Sequence, residues 1–324
     1  MNIFNELTKN LIINENQGYA FFFYNKGNII EKVNGVVKEE KSNKIDFNSN
    51  FRLASVSKQF IAFAIVKLIK DNKLSYEQNV LSIYPELPRY FENITIKHLL
   101  NHTSGIYNYE DMPHDDTQIV DSDIITFLKP TNKTYFKPGS MYKYSNTGYI
   151  LLGLIVEKVS NRSIVDYIEN EIFKDALMYE SKVNIEGTTL ISNRAYGHII
   201  ENDKLLVKDQ YWCSATIGDG GLYSSVNDLK KWCKYLYSSE IFKDMKVPNY
   251  MNESTYNEYG LGIRITKVND SEIYYHCGDT IGTNTILLFS KDLDLCLIFL
   301  TNMNNINTTH MKENLIKLLN ENKL

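Results

Sequence analysis

The sequence predicts an α/β (α+β) fold: an antiparallel sheet of N- and C-terminal strands flanked by helices, plus an inserted, mainly helical lobe. Three observations predict it. Strand-like runs gather at both ends of the chain, "GYAFFFYNKGNIIEKVNGVV" near the start and "SEIYYHCG", "TNTILLFS" and "DLCLIFLTN" near the finish. Helix-spaced apolar residues, broken by Gly and Pro, fill the middle. No repeat period or low-complexity linker divides the 324 residues, so both parts read as one folding unit. A sheet closed by the two termini, with helices packed on it, buries both kinds of apolar face.

The elements follow in order. "NIFNELTKNLI" places Ile3, Phe4, Leu7 and Leu11 at helical spacing. The next run reads as two strands joined by a turn at Asn25-Lys26-Gly27. Phe60, Ile61, Ala64, Ile65, Leu68 and Ile69 then form a helical stripe that Asp71-Asn72 stops. Burying the five larger ones is worth on the order of 10 kcal/mol of gross stabilisation. "YILLGLIVEKVS", "IVDYIENEIF" and "VNDLKKWCKYL" read as helices, and "HMKENLIKLLNEN" closes the chain after the last three strands. The expected division is an α/β lobe at about 1–70 and 210–324 and a helical lobe at about 71–209.

Composition excludes several classes of function. The chain is 43% hydrophobic and 23% charged, with a formal charge of −4. That balance argues against a nucleic-acid or anionic-membrane surface. Cys213, Cys233, Cys277 and Cys296 are scattered, with no C-x-x-C pair, which suits neither a disulfide scaffold nor structural zinc. The longest apolar stretch, "YILLGLIV", is far short of the ~20 residues that cross a bilayer, and no secretory leader is visible. The expectation is a soluble, cytoplasmic protein. His98 and His102 lie four residues apart but lack a third ligand nearby, so structural hydrogen bonding is expected of them and no metal. "GDGG" (218–221) lacks the Lys-Ser/Thr ending of a phosphate loop and reads as a tight turn. No cofactor is implied.

One helix begins oddly. "ASVSKQF" (54–60) puts two serines and a lysine ahead of the stripe. Ser55 or Ser57 as an N-cap is the plain reading. A capping box, however, wants Glu or Gln three residues on, where Ser55 has Lys58. A cation there opposes the helix dipole by a few tenths to ~1 kcal/mol. Chemistry offers a reason: residues three apart share a face, and a serine hydroxyl needs a neighbour that takes its proton. Burial and the helix N-terminus both push Lys58 toward its neutral form. A second S-x-x-K, Ser140 to Lys143 in "SMYK", has no apolar helix behind it, so the spacing alone does not decide.

Two further elements do. Tyr144-Ser145-Asn146 ("YSN") precedes the helix "TGYILLGLIVEKVS", and His276-Cys277-Gly278 ("HCG") lies on an expected strand. The order S-x-x-K, Y-x-N, H-x-G resembles the serine β-lactamase and penicillin-binding-protein superfamily. It looks closest to the branch with class C β-lactamases, D-Ala-D-Ala carboxypeptidases, D-aminopeptidases and related esterases. "FRLASVSKQF", "ITIKHLLNHTSGI", "FKPGSMYKYSNTGYILLG", "GDGGLYSSVNDLKKW", "YGLGI", "HCGDTIG" and "LTNMNN" extend the likeness, in order, from about Phe51 to Asn305.

The resemblance implies a β-lactamase/transpeptidase-like fold and an acyl-enzyme serine hydrolase. In it Ser55 is the nucleophile, Lys58 shares its proton, and Tyr144 is the general base, its phenol lowered by Lys58. Asn146 would hold the substrate carbonyl and help fix Lys58, and the backbone N–H groups of Ser55 and Asp279 would form the oxyanion hole. His276, Cys277 and Gly278 would line the substrate strand, with Tyr107, Tyr109, Tyr211 and Trp212 on bordering loops. β-Lactamases of this branch usually carry Lys and Thr where His276 and Cys277 stand. An unperturbed imidazole is mostly neutral at pH 7 and a thiol is a weak donor, so the grip on a substrate carboxylate is weaker. The expected substrate is a small molecule or short peptide offering an ester, amide, D-amino-acid peptide or β-lactam bond. Rival expectations are a β-lactam-binding sensor or penicillin-binding protein with slow deacylation, and an acyltransferase.

Overall fold

The computed structural model describes residues 2–11, 13, 17–38, 43–202, 204–247, 250–251 and 258–324. Among them, the main sheet orders its strands Asn28–Asn34, Tyr19–Asn25, Leu295–Thr301, Thr283–Ser290, Ser271–Thr280, Arg264–Val268, Glu258–Tyr259 and Tyr250–Met251. Every neighbouring pair is antiparallel. The amino-terminal hairpin thus lies beside the last strand, Tyr19 opposite Thr301. The fold class is the one expected, with more strands. Arg264–Val268 escaped the sequence reading because it is short, follows Gly260 and Gly262, and carries Arg264 and Lys267 among its apolar residues.

"YAFFFYN" is nearly continuous in apolar residues because both faces of the sheet are covered. On one face Phe22, Leu287, Ile298 and Leu300 join the large core of the helices. On the other, Phe21, Phe23, Leu288 and Phe299 meet Phe4, Leu7, Met311 and Leu315 of the terminal helices Ile3–Leu7 and Thr308–Asn320.

At the centre of the large core lies the helix Lys58–Lys70. Lys58 to Val66 and Leu68 are all buried, so this helix is enclosed around its whole circumference and not along one stripe only. Phe60 stacks on Trp232 at 4.2 Å, and Trp232 Nε1 donates to Gln59 Oε1 at 3.1 Å. The helix Asn146–Ser160 packs beside it. A small sheet holds the approach to Ser55, pairing Asn50–Arg52 with Leu222–Ser224 just after the "GDGG" loop. "IVDYIENEIF" is not one regular helix: Ile164–Ile168 widens into a π turn at Glu169–Phe173. No helix among the described residues is long and apolar enough to cross a membrane.

Candidate active site

After Arg52 the chain makes a 3₁₀ turn, Ala54–Ser57, before the buried helix begins. Ala54 adopts φ 47°, a left-handed conformation uncommon for a residue with a side chain. Such strain persists only where the surroundings impose it. Neither serine caps the helix. Ser57 Oγ accepts the Leu222 N–H at 3.3 Å, and Ser55 Oγ accepts from Lys58 Nζ at 3.0 Å. The serine–lysine pairing, and not a cap, accounts for this start.

Lys58 is completely buried, yet no carboxylate among the described residues touches its amine. Its second partner is the Asp219 backbone carbonyl at 2.7 Å. The Asp219 carboxylate turns away, accepting from Tyr109 Oη at 2.9 Å and Thr216 Oγ1 at 2.7 Å. Removal from water therefore dominates. Burial lowers Lys58 to about 8, against the opposing pull of Asp219 and Glu110, with Arg264 adding repulsion. Asp121 steadies the carbonyl that holds it, accepting the N–H groups of Ile217 and Gly218 at 2.6 and 3.0 Å. Gly218 packs so closely on the Asn146–Ser160 helix that a Cβ would lie 2.6 Å from the Tyr149 carbonyl oxygen.

Tyr144 also reaches this point. Lys58 Nζ lies 5.1 Å from its ring centre, and the His102 ring packs against it at a tilt, 4.3 Å away. Its hydroxyl is buried and makes no hydrogen bond among the described residues. The expectation of a lowered phenol is corrected: burial raises Tyr144 above its ordinary value, outweighing the nearby Ser55 hydroxyl and Arg264. His98 and His102 both serve as hydrogen-bond acceptors for backbone N–H groups. His102 Nδ1 accepts the Ser145 N–H at 3.1 Å, while His98 Nδ1 accepts the Thr95 N–H at 3.2 Å in a helix cap.

Asn146 opens the helix that Ser145 caps, and it lines the cleft with Ser55. The expected contact with Lys58 is corrected: the lysine's partners are Ser55 and the Asp219 carbonyl, not Asn146. The Asn146 amide donates to Glu110 Oε2 at 2.9 Å, and its Oδ1 is buried without a partner among the described residues.

The "HCG" strand supplies the opposite wall. Ser271–Thr280 outruns its neighbour, because Arg264–Val268 pairs only with Ser271 to Tyr275. Residues 276–280 thus leave one edge open, and the Ser55 turn sits against it. A Cβ on Gly278 would lie 2.2 Å from the Leu53 carbonyl oxygen and 3.1 Å from the Ala54 Cβ, so only glycine permits this approach. Thr285 Oγ1 donates to that same carbonyl at 2.9 Å.

His276 is buried and does not line the cleft. Its Nδ1 donates to the Cys277 carbonyl at 2.7 Å, leaving Nε2 to accept from Tyr259 Oη at 3.2 Å. Burial, with Arg264 and Lys58 adding repulsion, pushes it well below its ordinary value, so it is neutral. Cys277 alternates to the other face of the sheet, where its thiol meets Thr308 and is raised by burial. That placement corrects the expectation of a Cys277 substrate contact. Asp279 returns to the cleft.

The aromatic loop residues divide. Tyr109 lines the cleft; Tyr107, Tyr211 and Trp212 do not. Tyr107 packs on Tyr135 at 4.4 Å, Trp212 stacks on His114 at 3.9 Å, and Tyr211 is half exposed. Arg52, Glu110, Thr216 and Asp219, none singled out from sequence, complete a polar cleft of about 50 Å³. Only the closeness of "GDGG" to the Ser55 turn could have pointed to Asp219. Hollows of about 280 and 360 Å³ lie elsewhere, and neither is lined by Ser55, Lys58 or residues 276–280.

Comparison with known proteins agrees with this fold. The sequence model of the family described as Beta-lactamase matches residues 8–319. Penicillin-binding protein 4* of Bacillus subtilis is 31% identical over 290 residues, covering 83% of this chain and 64% of that protein. Protein flp of Staphylococcus aureus is 25% identical over 297 residues, 87% of this chain and 57% of flp. The chain thus spans about 60% of the length of these curated relatives. Among solved structures, penicillin binding protein from Bacillus halodurans superimposes with a TM-score of 0.82 at 23% identity, covering 98% of this chain and 99% of that one. D-amino acid amidase from Ochrobactrum anthropi SV3 gives 0.79 at 20% identity, covering 100% and 99%.

Proposed function

The chain belongs to the Beta-lactamase family, and from that premise we propose that it is a serine hydrolase forming an acyl-enzyme on Ser55 with small ester or amide substrates. One observation carries the reading: a fully buried lysine amine, lowered to about 8 and paired with no carboxylate among the described residues, lies 3.0 Å from a serine hydroxyl in an accessible cleft.

Neutral Lys58 takes the Ser55 proton as Oγ attacks the substrate carbonyl carbon. The backbone N–H groups of Ser55 and Asp279, at the turn and the free strand edge, are the candidate donors to the resulting oxyanion, each worth ~3 kcal/mol of barrier. On collapse, the bond to the leaving amine or alcohol breaks and the proton from Lys58 passes to it. Tyr144, held as a phenol, serves better as a relay in that transfer than as a phenolate base. Water then adds to the acyl carbon, giving a proton back through Lys58 and freeing Ser55. Asn146, which lines the cleft, is the candidate side chain to hydrogen-bond the substrate.

A penicillin-binding protein with slow deacylation is the second reading. The raised Tyr144 favours it, because a phenol that resists ionisation activates water poorly.

Intact-protein mass after exposure to benzylpenicillin or an activated ester tests both. We expect a single adduct that Ser55→Ala abolishes and Ser140→Ala retains. A short-lived adduct supports the hydrolase and a persistent one the slow binder. An adduct surviving Ser55→Ala sinks both.

A further inference from the structure

The GDGG loop is fixed at both ends, and the carbonyl that holds Lys58 stands between them. On one side Leu222 accepts the Leu53 N–H at 2.8 Å and gives its own N–H to Ser57 Oγ at 3.3 Å. On the other, Asp121 takes two consecutive N–H groups, Oδ1 from Ile217 at 2.6 Å and Oδ2 from Gly218 at 3.0 Å. The Asp219 carbonyl follows directly, 2.7 Å from Lys58 Nζ. Between the fixed ends the chain turns tightly, the N–H groups of Gly220 and Gly221 both meeting the Ile217 carbonyl, at 3.2 and 3.0 Å.

A tether alone does not call for an aspartate here. Among the described residues no Lys, Arg or His pairs with Asp121. Burial pushes its carboxyl up to about 8; the two N–H groups oppose the rise, while Asp219 and Glu157 add to it. A serine or asparagine offers a single acceptor oxygen and no charge to bury. The aspartate gives each N–H its own oxygen, which fixes the orientation of two successive peptide planes as well as their position. Asp121 is held in turn, its carbonyl accepting the Ile124 N–H at 3.2 Å where the helix Asp123–Leu128 begins. The helix Asn146–Ser160 closes the clamp from behind: a Cβ on Gly153 would lie 3.3 Å from the Gly218 Cα and 3.6 Å from Asp121 Oδ2.

Building on the acyl-enzyme reading, we propose that Asp121 is a positioning residue for Lys58: through residues 217–219 it fixes the carbonyl against which the lysine amine is held, and so governs its reach to Ser55 and its readiness to take a proton. Neither Asp121 nor Gly153 lines the cleft, so both can be altered without touching substrate.

The groups facing Lys58 are Asp219, Glu110 and Arg264, with the rings of Tyr144 and Tyr149 at 5.1 and 5.6 Å. Burial raises both tyrosines and pushes His102 and His276 well down, so none of these four changes charge near neutrality. An acceptor carbonyl and a nearby anion both favour the ammonium form. Weakening the clamp therefore moves the titration of Lys58 to lower pH.

The test follows kcat/KM on p-nitrophenyl acetate across the neutral and alkaline range, using the whole protein. Asp121→Asn keeps the shape but turns an NH2 toward one of the two N–H donors. We expect the midpoint of the acid limb to fall by about half a unit to one unit. The plateau should drop roughly ten- to hundredfold as the amine loses its place. Gly153→Ala, which helix propensity favours, presses on the same clamp and should shift the midpoint the same way by less. A lower plateau with an unmoved midpoint makes Asp121 a loop anchor only and overturns the proposal, as does a midpoint that rises. A limb that vanishes in Asp121→Asn makes Asp121 itself the titrating group, which also overturns it. Should Asp121→Asn not fold, an unmoved midpoint in Gly153→Ala is decisive against it. If wild-type Ser55 takes no label from p-nitrophenyl acetate, the acyl-enzyme reading fails and this proposal falls with it; labelling with unshifted variants sinks the Asp121 proposal alone.

Discussion

The chain contains the same four-residue pattern twice, and the two copies have opposite fates. Ser55 and Lys58 sit at the mouth of a helix enclosed on all sides, the amine bonded to the serine hydroxyl and a backbone carbonyl. Ser140 and Lys143 lie in an exposed loop. There Ser140 Oγ donates to the Lys137 carbonyl at 2.6 Å, and Lys143 turns away to Asp111 at 3.3 Å and the Tyr135 ring at 3.5 Å. Spacing brings a hydroxyl and an amine within reach only if a helix follows. Desolvation then decides whether the amine can act as a base. In water, a lysine keeps its proton and makes ion pairs.

The widest separation between the copies should appear in turnover. Lys58→Ala removes the proton acceptor, a contribution of roughly 10²–10⁴-fold for general-base chemistry. Lys143→Ala should leave kcat/KM on a p-nitrophenyl ester within about twofold. Equal losses at the two sites would end the distinction drawn here. Next in size is pH. With Lys58 lowered to about 8, the acylation rate should rise about tenfold per unit below that value and level off above it. Stability has its own sign. The folded value lies below the unfolded 10.5, so between about 8 and 10.5 the unfolded chain binds more protons and Lys58's penalty shrinks as pH rises. A rate profile flat from pH 6 to 9 would mean another group takes the proton.

The strands at the two ends were legible because runs such as "TNTILLFS" and "DLCLIFLTN" are long, β-rich and bounded by turns. Ser55, Lys58 and Tyr144 were legible as types in an order, and the structure brings them together. What sequence could not supply was solvent. It showed that Tyr144 would have Lys58 beside it, but not that burial would outweigh that neighbour. Asp219 acts on Lys58 through its backbone carbonyl, which no side-chain pattern reveals. Glu110 gains its place from Asn146, thirty-six positions away. Cys277 is different, since strand alternation already separates it from His276 and Gly278; treating "HCG" as one unit hid a period of two.

The smallest expected effect concerns stability at the outer copy. Lys143 and Asp111 make an ion pair with side chains 44% and 51% exposed. Water and salt screen such a pair, and ordering two long side chains opposes it, so exposed pairs contribute ~0–1 kcal/mol. The Tyr135 ring adds a cation–π contact at 3.5 Å, worth ~0.5–1 kcal/mol where solvent reaches it. Tyr135 Oη also donates to Asp111 Oδ2 at 2.8 Å, so the carboxylate keeps a partner when the lysine is gone. Lys143→Ala should therefore cost about 1 kcal/mol or less in urea unfolding, and less still at high salt. A loss several times larger, insensitive to salt, would show that the outer lysine bears on packing around Ser145 and Tyr144, and the two copies would no longer be independent.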